Sequence, residues 1–200
     1  MNRIRLLVAV VFVTLIVSGM FNSTTVGTDN TACESAEQNV PVDPGYIKFG
    51  DIKGESTDKN HQGWCDLLGF SQVITNTGIQ SAGKQISRPD FELFEVYKKI
   101  DMASPKLMEV CVRGTSIDKV LIEFTKIPPQ GGGFVVYYEI ELGDVYIVEY
   151  RIGSPDVNVE PIIEEMVLEF REIKVTYTEY DDSGQPHNFV EFEWKLEYPR

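Results

Sequence analysis

The chain has 200 residues, with 31 acidic and 18 basic side chains and a formal net charge of −13. Its hydrophobic residues (42%) and charged residues (24%) are in the proportions of one globular domain with an appendage. The acidic balance argues against nucleic acid or anionic membranes as electrostatic partners, because both bind clustered Lys and Arg. Two histidines leave little room for a His-rich metal site or a Ser-His-Asp triad.

The first residues are typical of a secretory signal peptide. Arg3 and Arg5 precede an apolar run from Leu6 to Val17, and small residues suit cleavage after Gly19. We therefore predict a signal peptide over residues 1–19 and export to the periplasm or the cell exterior. Two alternatives stay open. In the first, the run is an uncleaved membrane anchor, although it is shorter than the roughly 20 residues of a spanning helix. In the second, the start codon is wrongly assigned.

Residues 20–43 are rich in Ser, Thr, Asn and Gln and predict a flexible linker before a domain over 44–200. Cys33 lies in this linker, whereas Cys65 and Cys111 lie in apolar segments. An odd number of cysteines allows at most one intramolecular disulfide. Cys65 and Cys111 are either buried free thiols or, given an exported protein, a bridged pair.

The first part of the domain predicts short strands separated by polar connections. A long polar loop and a turn of small residues interrupt the apolar segments. The predicted elements are a strand over Tyr46–Phe49, a loop over 51–63, a strand over Trp64–Thr75, a turn over Gly78–Lys84 and a strand over Pro89–Lys99.

One helix is predicted, over Ser104–Gly114. Ser104 suits the N-cap because its oxygen can accept an unpaired backbone N–H, and Pro105 suits the first helical position. Gly114 can adopt the left-handed conformation that ends a helix. Leu107 and Cys111 share one face of this helix with Met108, which predicts packing against the rest of the domain.

The second half of the domain predicts long strands. Apolar and polar residues alternate, with a bend or bulge at Gly143 and a β-bulge where the apolar parity changes between Phe170 and Ile173. Long curling strands with a single helix predict a mainly β fold, a closed or nearly closed β-barrel with one flanking α-helix. The strands are predicted over Lys119–Lys126, Phe134–Arg151, Ile162–Tyr180 and Phe189–Glu197.

None of the candidate reactive groups forms an enzyme signature. Gly131, Gly132 and Gly133 precede a strand, whereas a phosphate-binding loop needs a following helix. The His61 and His187 side chains lie in polar loops without a neighbouring Ser or Cys nucleophile in the sequence. The acidic residues are more typical of solvated or subunit-facing surfaces than of cation sites or acid–base pairs. They are Asp51, Glu55 and Asp58 in one loop, Glu139 and Glu141 on one strand, and the pair Glu164-Glu165. We predict no catalytic residue, no metal and no cofactor.

Two motifs resemble the type VI secretion tube protein family, known as haemolysin-coregulated protein or Hcp. The first is Tyr46–Ser56, with Asp58 and His61 following, and the second is Lys98–Met108, which includes the helix. The resemblance covers about residues 45–197 and implies a β-barrel of two curled antiparallel sheets with one flanking helix. It also implies a non-enzymatic subunit that forms hexameric rings, which stack into a tube and carry protein cargo.

Within the family, the loop of Lys53, Gly54, Glu55 and Ser56 lies where contacts between ring subunits are expected. The surface of Tyr137, Glu139 and Glu141 is a second candidate, as an edge strand or ring face. The predicted signal departs from the family, whose tube subunits are loaded from the cytoplasm. The alternative is therefore a stand-alone exported Hcp-like module for binding or adhesion, outside any injection tube.

Overall fold

The computed structural model describes residues 44–76, 78–81, 84–86, 89–153 and 162–196. These residues form twelve β-strands and one α-helix. In chain order the elements are β1 (Gly45–Phe49), β2 (Cys65–Ser71), β3 (Ile74–Asn76), β4 (Ile79–Ser81), β5 (Lys84–Ile86), β6 (Pro89–Phe91), β7 (Phe94–Lys99), α1 (Ser104–Arg113), β8 (Ile117–Lys126), β9 (Val135–Gly153), β10 (Ile163–Glu169), β11 (Glu172–Tyr180) and β12 (Pro186–Lys195).

Six strands close into an antiparallel barrel in the order β10-β7-β2-β1-β8-β9, because β9 also pairs with β10. Strands β11 and β12 extend the sheet outward from β9, and among the described residues β12 forms its free edge. The predicted β-barrel with one flanking helix is confirmed. Closure removes the sheet edges within the barrel. Within the part of the chain that the structure describes, β12 has one unpaired side.

Strand β9 is long enough to serve two parts of the sheet. Its first half pairs with β11 as far as Gly143 and with β8 as far as Val145, and its second half pairs with β10 from Tyr146 onward. Between these halves Asp144 has a φ of 50°, which is uncommon for a residue other than glycine. The irregularity predicted at Gly143 is therefore present, and it marks the point where β9 changes partners.

The prediction of one bulged strand over Ile162–Tyr180 is wrong. The chain leaves β10 after Glu169 and enters β11 at Glu172, and these strands pair with different halves of β9. Phe170 and Ile173 are both buried, so the parity change does keep apolar side chains inward. At the break, the Arg171 N–H donates to the Gly143 carbonyl, which holds the two strands at the bend of β9.

The barrel interior is filled by apolar side chains at alternate strand positions. Alternation places one face of each strand in the core, as the sequence pattern requires. Full burial of one such side chain stabilises the fold by roughly 1.5–3 kcal/mol. The fully buried members include Ile47, Phe49, Phe94, Val96, Val120, Ile122, Leu142, Met166 and Leu168.

Helix α1 packs against the barrel through Leu107. Gly114 has the left-handed conformation expected at the helix end, with φ 61° and ψ 32°. The N-cap prediction is wrong by one residue, because the structure places it at Ala103. The Ser104 hydroxyl instead accepts the Asp101 N–H at 2.9 Å and donates to Glu164 at 3.0 Å, so it is committed to a buried contact with β10.

The predicted strands Trp64–Thr75 and Pro89–Lys99 each break in two. The segment between the breaks leaves the barrel sheet, with β3 paired to β6 and β4 paired to β5. At the break the Glu92 N–H donates to the Val73 carbonyl, and the Gln72 side-chain amide donates to the Glu92 carbonyl. The turn predicted over 78–84 therefore contains the strand β4 and the start of β5.

The predicted signal peptide over residues 1–19 and linker over 20–43, with Cys33, lie outside the described residues. Within the part of the chain that the structure describes, no helix is both long and apolar enough to span a membrane. Cys65 and Cys111 are free thiols, the first buried and the second half-buried, so the structure has no bridge between them.

Candidate assembly surface

The predicted contact loop, Lys53 to Ser56, belongs to a longer loop over residues 51–64 between β1 and β2. The Gly54 N–H donates to the Gly63 carbonyl at 2.8 Å, and the Ser56 N–H donates to the Trp64 carbonyl at 2.9 Å. A Cβ on Gly54 would lie 2.3 Å from the Trp64 oxygen, so only glycine permits this close approach. Gly54 and Ser56 are buried, which leaves Lys53 and Glu55 as the exposed side chains of the contact loop.

His61 fixes the far side of this loop. Its Nδ1 lies 2.6 Å from Asp58 Oδ1, and its Nε2 lies 2.8 Å from Glu123 Oε2 on β8. The ring is only 1% exposed and stacks on Tyr46 with a centroid distance of 4.0 Å and an interplanar angle of 8°. Trp64 meets it edge-on at 5.0 Å. His61 therefore lies in the polar loop that the sequence predicts, but it is buried against the barrel.

Asp58 is the acceptor that shapes this turn. Its Oδ1 accepts the backbone N–H groups of Asn60 and His61, at 2.9 and 3.1 Å. Burial acts to raise the pKa of Asp58, but the hydrogen bonds from the His61 ring and the backbone outweigh it, so the pKa is lowered. Asp58 therefore stays an ionised acceptor against the imidazole.

A second buried cluster joins α1 to strands β7 and β10. The Lys98 ammonium lies against Glu164, and it donates to Asp101 Oδ1 at 2.8 Å. Tyr150 donates to the other oxygen of Glu164. Lys98 and Glu164 are both fully buried, so each charge depends on its partners rather than on water. Burial next to this cluster raises the pKa of the Cys65 thiol.

The sheet formed by β8, β9, β11 and β12 has one apolar face. Directly opposed residues form continuous apolar rows that begin in the barrel core and end on the edge strand. Val190, Phe192 and Trp194, here called the β12 apolar row, are 64%, 44% and 42% exposed. The three rows are Val120–Leu142–Ile173–Trp194, Ile122–Ile140–Val175–Phe192 and Phe124–Tyr138–Tyr177–Val190.

The opposite face of the same sheet is charged. Glu123 on β8 lies directly opposite Glu139 on β9, and Lys174 on β11 bonds Glu191 on β12 at 2.7 Å. Burial raises the pKa of Glu139, and the neighbouring charges of Glu123 and Glu141 raise it further. The four strands therefore separate an apolar face from an acidic one.

The topology corrects one part of the second predicted surface, its position on an edge strand, and the ring face stays a prediction. Tyr137, Glu139 and Glu141 lie on β9, which is paired on both sides and is not an edge strand. All three are half-buried, and Glu141 pairs with Lys119 at 2.9 Å. The exposed edge is instead β12, in which every residue is exposed.

The remaining candidates are not brought together. Glu164 and Glu165 alternate across β10, so one is buried while the other pairs with Arg151 at 2.5 Å on the surface. His187 lies in β12, which β9 and β11 separate from β8, the strand of Glu123 that bonds His61. Among the described residues, no group of three or more His, Cys, Asp or Glu side chains is arranged to hold a metal ion.

Sequence reasoning missed two features of this surface. The partners of His61 are three and 62 positions away, and only the Asp58 spacing is visible as a local turn signal. The exposure of β12 was missed because alternation in its sequence matches that of a core strand. Its charged positions, Glu191 and Glu193, were the available signal, because charges are common on edge strands.

Known proteins resemble this chain over most of the described domain. A family model described as "Type VI secretion system effector, Hcp" matches residues 46–177. Protein Hcp1 of Pseudomonas aeruginosa is 26% identical over 154 residues, which are 76% of this chain and 93% of that protein. A solved type six secretion system protein matches with a TM-score of 0.68 at 22% identity, over 77% of this chain and 96% of its own. Hcp1 from Salmonella typhimurium matches with a TM-score of 0.60 at 20% identity, over 76% and 93%.

Proposed function

The chain belongs to the Hcp family of type VI secretion proteins, and we propose that it is a non-enzymatic structural subunit that forms hexameric rings. The rings stack and carry protein cargo, as the family resemblance implies. The observation that supports self-assembly most directly is the β12 apolar row, in which Val190, Phe192 and Trp194 are exposed.

The β12 apolar row has the features of a protein contact. It continues the core face of the barrel, so its side chains extend an apolar surface from the interior to solvent. Trp194 stacks on Phe91 at 6.3 Å, which adds an aromatic side chain from β6 to the same patch. An edge strand with apolar side chains pairs readily with another chain, and contiguous exposed apolar patches mark interaction sites.

A closed ring needs a second, different surface on the neighbouring subunit. Head-to-tail contacts close at a fixed number of copies, whereas one self-complementary patch gives a dimer. The exposed side chains of the contact loop, Lys53 and Glu55, are the proposed second surface. The loop is suited to this role because Gly54 and Ser56 hold its backbone in one conformation.

The first test is native mass spectrometry of the purified chain over a concentration series, with light scattering beside it. We expect a hexamer. The variant Phe192→Glu places a charge in the apolar row and is expected to give monomers. The matched control is Phe189→Glu, which adds the same charge to the same strand, but on its other face. Circular dichroism establishes that both variants remain folded.

A monomer of the unmodified chain at every concentration would remove the ring. If Phe189→Glu and Phe192→Glu lost the hexamer equally, the contact would not lie on the apolar face of β12. Electron microscopy of the hexamer then tests stacking, with tubes as the expected result.

The alternative function is a stand-alone exported module for binding or adhesion. The apolar run after Arg3 and Arg5 favours this alternative, because an exported subunit cannot join a tube that is built in the cytoplasm. Genes for a sheath, a baseplate and an ATPase beside this one would favour the tube, and their absence would favour the module. The mass of the mature protein from its native host decides whether residues 1–19 are removed.

A further inference from the structure

His61 faces two hydrogen-bond acceptors, whereas a neutral imidazole has one donor nitrogen. Asp58 faces Nδ1 at 2.6 Å and Glu123 faces Nε2 at 2.8 Å. An ionised carboxylate only accepts, and a neutral imidazole has one donor and one acceptor nitrogen. Both contacts are satisfied together when the ring carries two protons. We propose that His61 is a proton-dependent latch, whose imidazolium form pins the loop over residues 51–64 to β8 and whose deprotonation releases it.

The latch connects two parts of the chain. Asp58 and His61 belong to the loop, whereas Glu123 belongs to β8 and is 62 positions from His61. Much of the backbone bonding of the loop is internal, from Gly54 to Gly63 and from Trp64 to His61. The His61–Glu123 contact and the stacking of His61 on Tyr46 therefore hold the far side of the loop on the barrel. Its near side is held by the Gly50 N–H on the Lys119 carbonyl.

The stacking partners enclose the ring on two sides. Tyr46 on β1 covers one face of the imidazole, and Trp64 meets its edge. Lys48, also on β1, lies 5.8 Å above the Trp64 ring, and its charge opposes a second cation nearby. The imidazole is 1% exposed, so water does not replace a lost hydrogen bond. The protonation state of the ring therefore decides whether it can donate to both carboxylates.

Carboxylates outnumber lysines around the latch. Asp58 and Glu123 bond the ring, and Asp66 on β2 lies near Tyr46. Glu139 on β9 lies opposite Glu123, and the charge of Lys174 on β11 acts on Glu139. Burial raises the pKa of Tyr46, and the charges of Asp58 and Asp66 raise it further, which keeps that ring neutral in the stack.

The direction of the switch follows from the proton balance. The closed loop holds one proton more than the open loop, because the open imidazole loses both carboxylates. Closing therefore weakens as pH rises, by up to a factor of ten in the opening constant for each pH unit. When the ring is neutral, one of the two carboxylates faces an acceptor nitrogen.

The functional consequence rests on the proposed function. Lys53 and Glu55 are carried by the latched loop, so their position depends on the protonation of His61. Ring assembly through these side chains is then favoured at lower pH and weakened as pH rises. The latch itself belongs to the subunit and is testable whether or not rings form.

Hydrogen exchange of the full chain over a pH series tests the latch. The reporter is the His61 N–H group, which donates to Asp58 Oδ1 at 3.1 Å, the same oxygen that bonds the imidazole. Measured rates are divided by the intrinsic rates at each pH, so that the opening constant remains. We expect this constant to rise with pH, approaching tenfold per unit across the titration of the imidazole. A constant that does not change with pH would overturn the latch.

Two variants make the test specific. In Glu123→Gln the side-chain amide donates to a neutral Nε2, so we expect the opening constant to lose its pH dependence. In His187→Gln, which removes an exposed histidine of β12, we expect the profile of the unmodified chain. The same slope in Glu123→Gln as in the unmodified chain would overturn the latch. Nitrogen NMR of His187→Gln, where His61 is the sole histidine, should show both ring nitrogens protonated in the closed state.

Native mass spectrometry at each pH separates the latch from the ring. Monomers at every pH with a rising opening constant support the latch and overturn the proposed ring. Hexamers at every pH with a flat opening constant overturn the latch and leave the ring. Hexamers that dissociate as the opening constant rises support both.

Discussion

Strands β10 and β12 have similar alternating apolar sequences but opposite environments. In β10, Met166 and Leu168 are fully buried between β7 and β9. In β12, Phe192 and Trp194 are exposed, because β11 is the one neighbour of this strand among the described parts of the sheet. The comparison teaches that position in the sheet, not the apolar pattern of a strand, determines how much of it is buried.

The charged residues of the two strands differ in the same way. Glu164 on β10 is fully buried against Lys98, whereas Glu191 on β12 pairs with Lys174 on the surface. Loss of one partner from a buried pair destabilises the fold, because the remaining charge has no contact with water. Loss of one partner from an exposed pair has little effect on stability. Strand β10 therefore contributes to the stability of the subunit through its buried pair, whereas the charges of β12 contribute little to it.

The largest expected effect is the loss of the buried charge on β10. Glu164→Ala leaves the Lys98 ammonium without its carboxylate and leaves Tyr150 and Ser104 without their acceptor. We expect the free energy of unfolding to fall by about 3–5 kcal/mol. Urea unfolding followed by circular dichroism measures this loss.

The neighbouring residue provides the matched control. Glu165→Ala removes a carboxylate from the same strand, where it pairs with Arg151 on the surface. We expect a small loss that high salt abolishes. Similar losses for Glu164→Ala and Glu165→Ala would contradict the assignment of Lys98 and Glu164 to a buried pair.

The next effect compares apolar truncations in the two strands. Leu168→Ala creates a cavity in the barrel core, and we expect a loss of about 2–5 kcal/mol in the free energy of unfolding. Val190→Ala removes an exposed side chain, and we expect a change within about 0.5 kcal/mol. Thermal or urea unfolding of both variants gives the comparison. Equal losses would mean that β12 is as deeply packed as β10.

Much of the fold was predictable from the sequence. Alternation and turn residues gave the barrel strands, and Gly114 gave the helix end. The resemblance carried by Tyr46–Ser56 and Lys98–Met108 is confirmed by the family match over 46–177. The breaks within predicted strands were not predictable, since a strand that changes partners keeps its apolar pattern.

The candidate surface was predictable only in part. The contact loop was named from the resemblance, but the burial of Gly54 and Ser56 depends on the return of the chain at Gly63 and Trp64. The His61–Glu123 contact spans 62 positions, and no local pattern encodes it. The sequence of the β12 apolar row is also typical of a core strand, because alternation does not reveal whether a sheet continues beyond that strand.

The smallest expected effect is a pH dependence confined to the buried pair. Burial acts to lower the pKa of the Lys98 ammonium, but its hydrogen bonds to Asp101 and Glu164 outweigh this, so the pKa is raised. Because folding raises this pKa, the pair contributes fully to the free energy of unfolding below the pKa of lysine in the unfolded chain, about 10.4. That contribution is lost as pH rises through the pKa of Lys98 in the folded chain. The free energy of unfolding of the unmodified chain should therefore fall, relative to that of Lys98→Met/Glu164→Leu, above about pH 10.

Urea unfolding of both proteins from pH 8 to pH 11 measures this difference, in which titrations common to both chains cancel. Lys195→Met on β12 is the control, because its partner Glu172 lies 2.9 Å away on the surface and high salt screens the pair. We expect the difference for the buried pair to persist in high salt, and that for Lys195 to disappear. A difference for the buried pair that stays constant to pH 11 would mean that Lys98 keeps its proton well beyond this range. The disappearance of that difference in salt would instead place Lys98 in contact with water, and the contrast between β10 and β12 would then not extend to their charges.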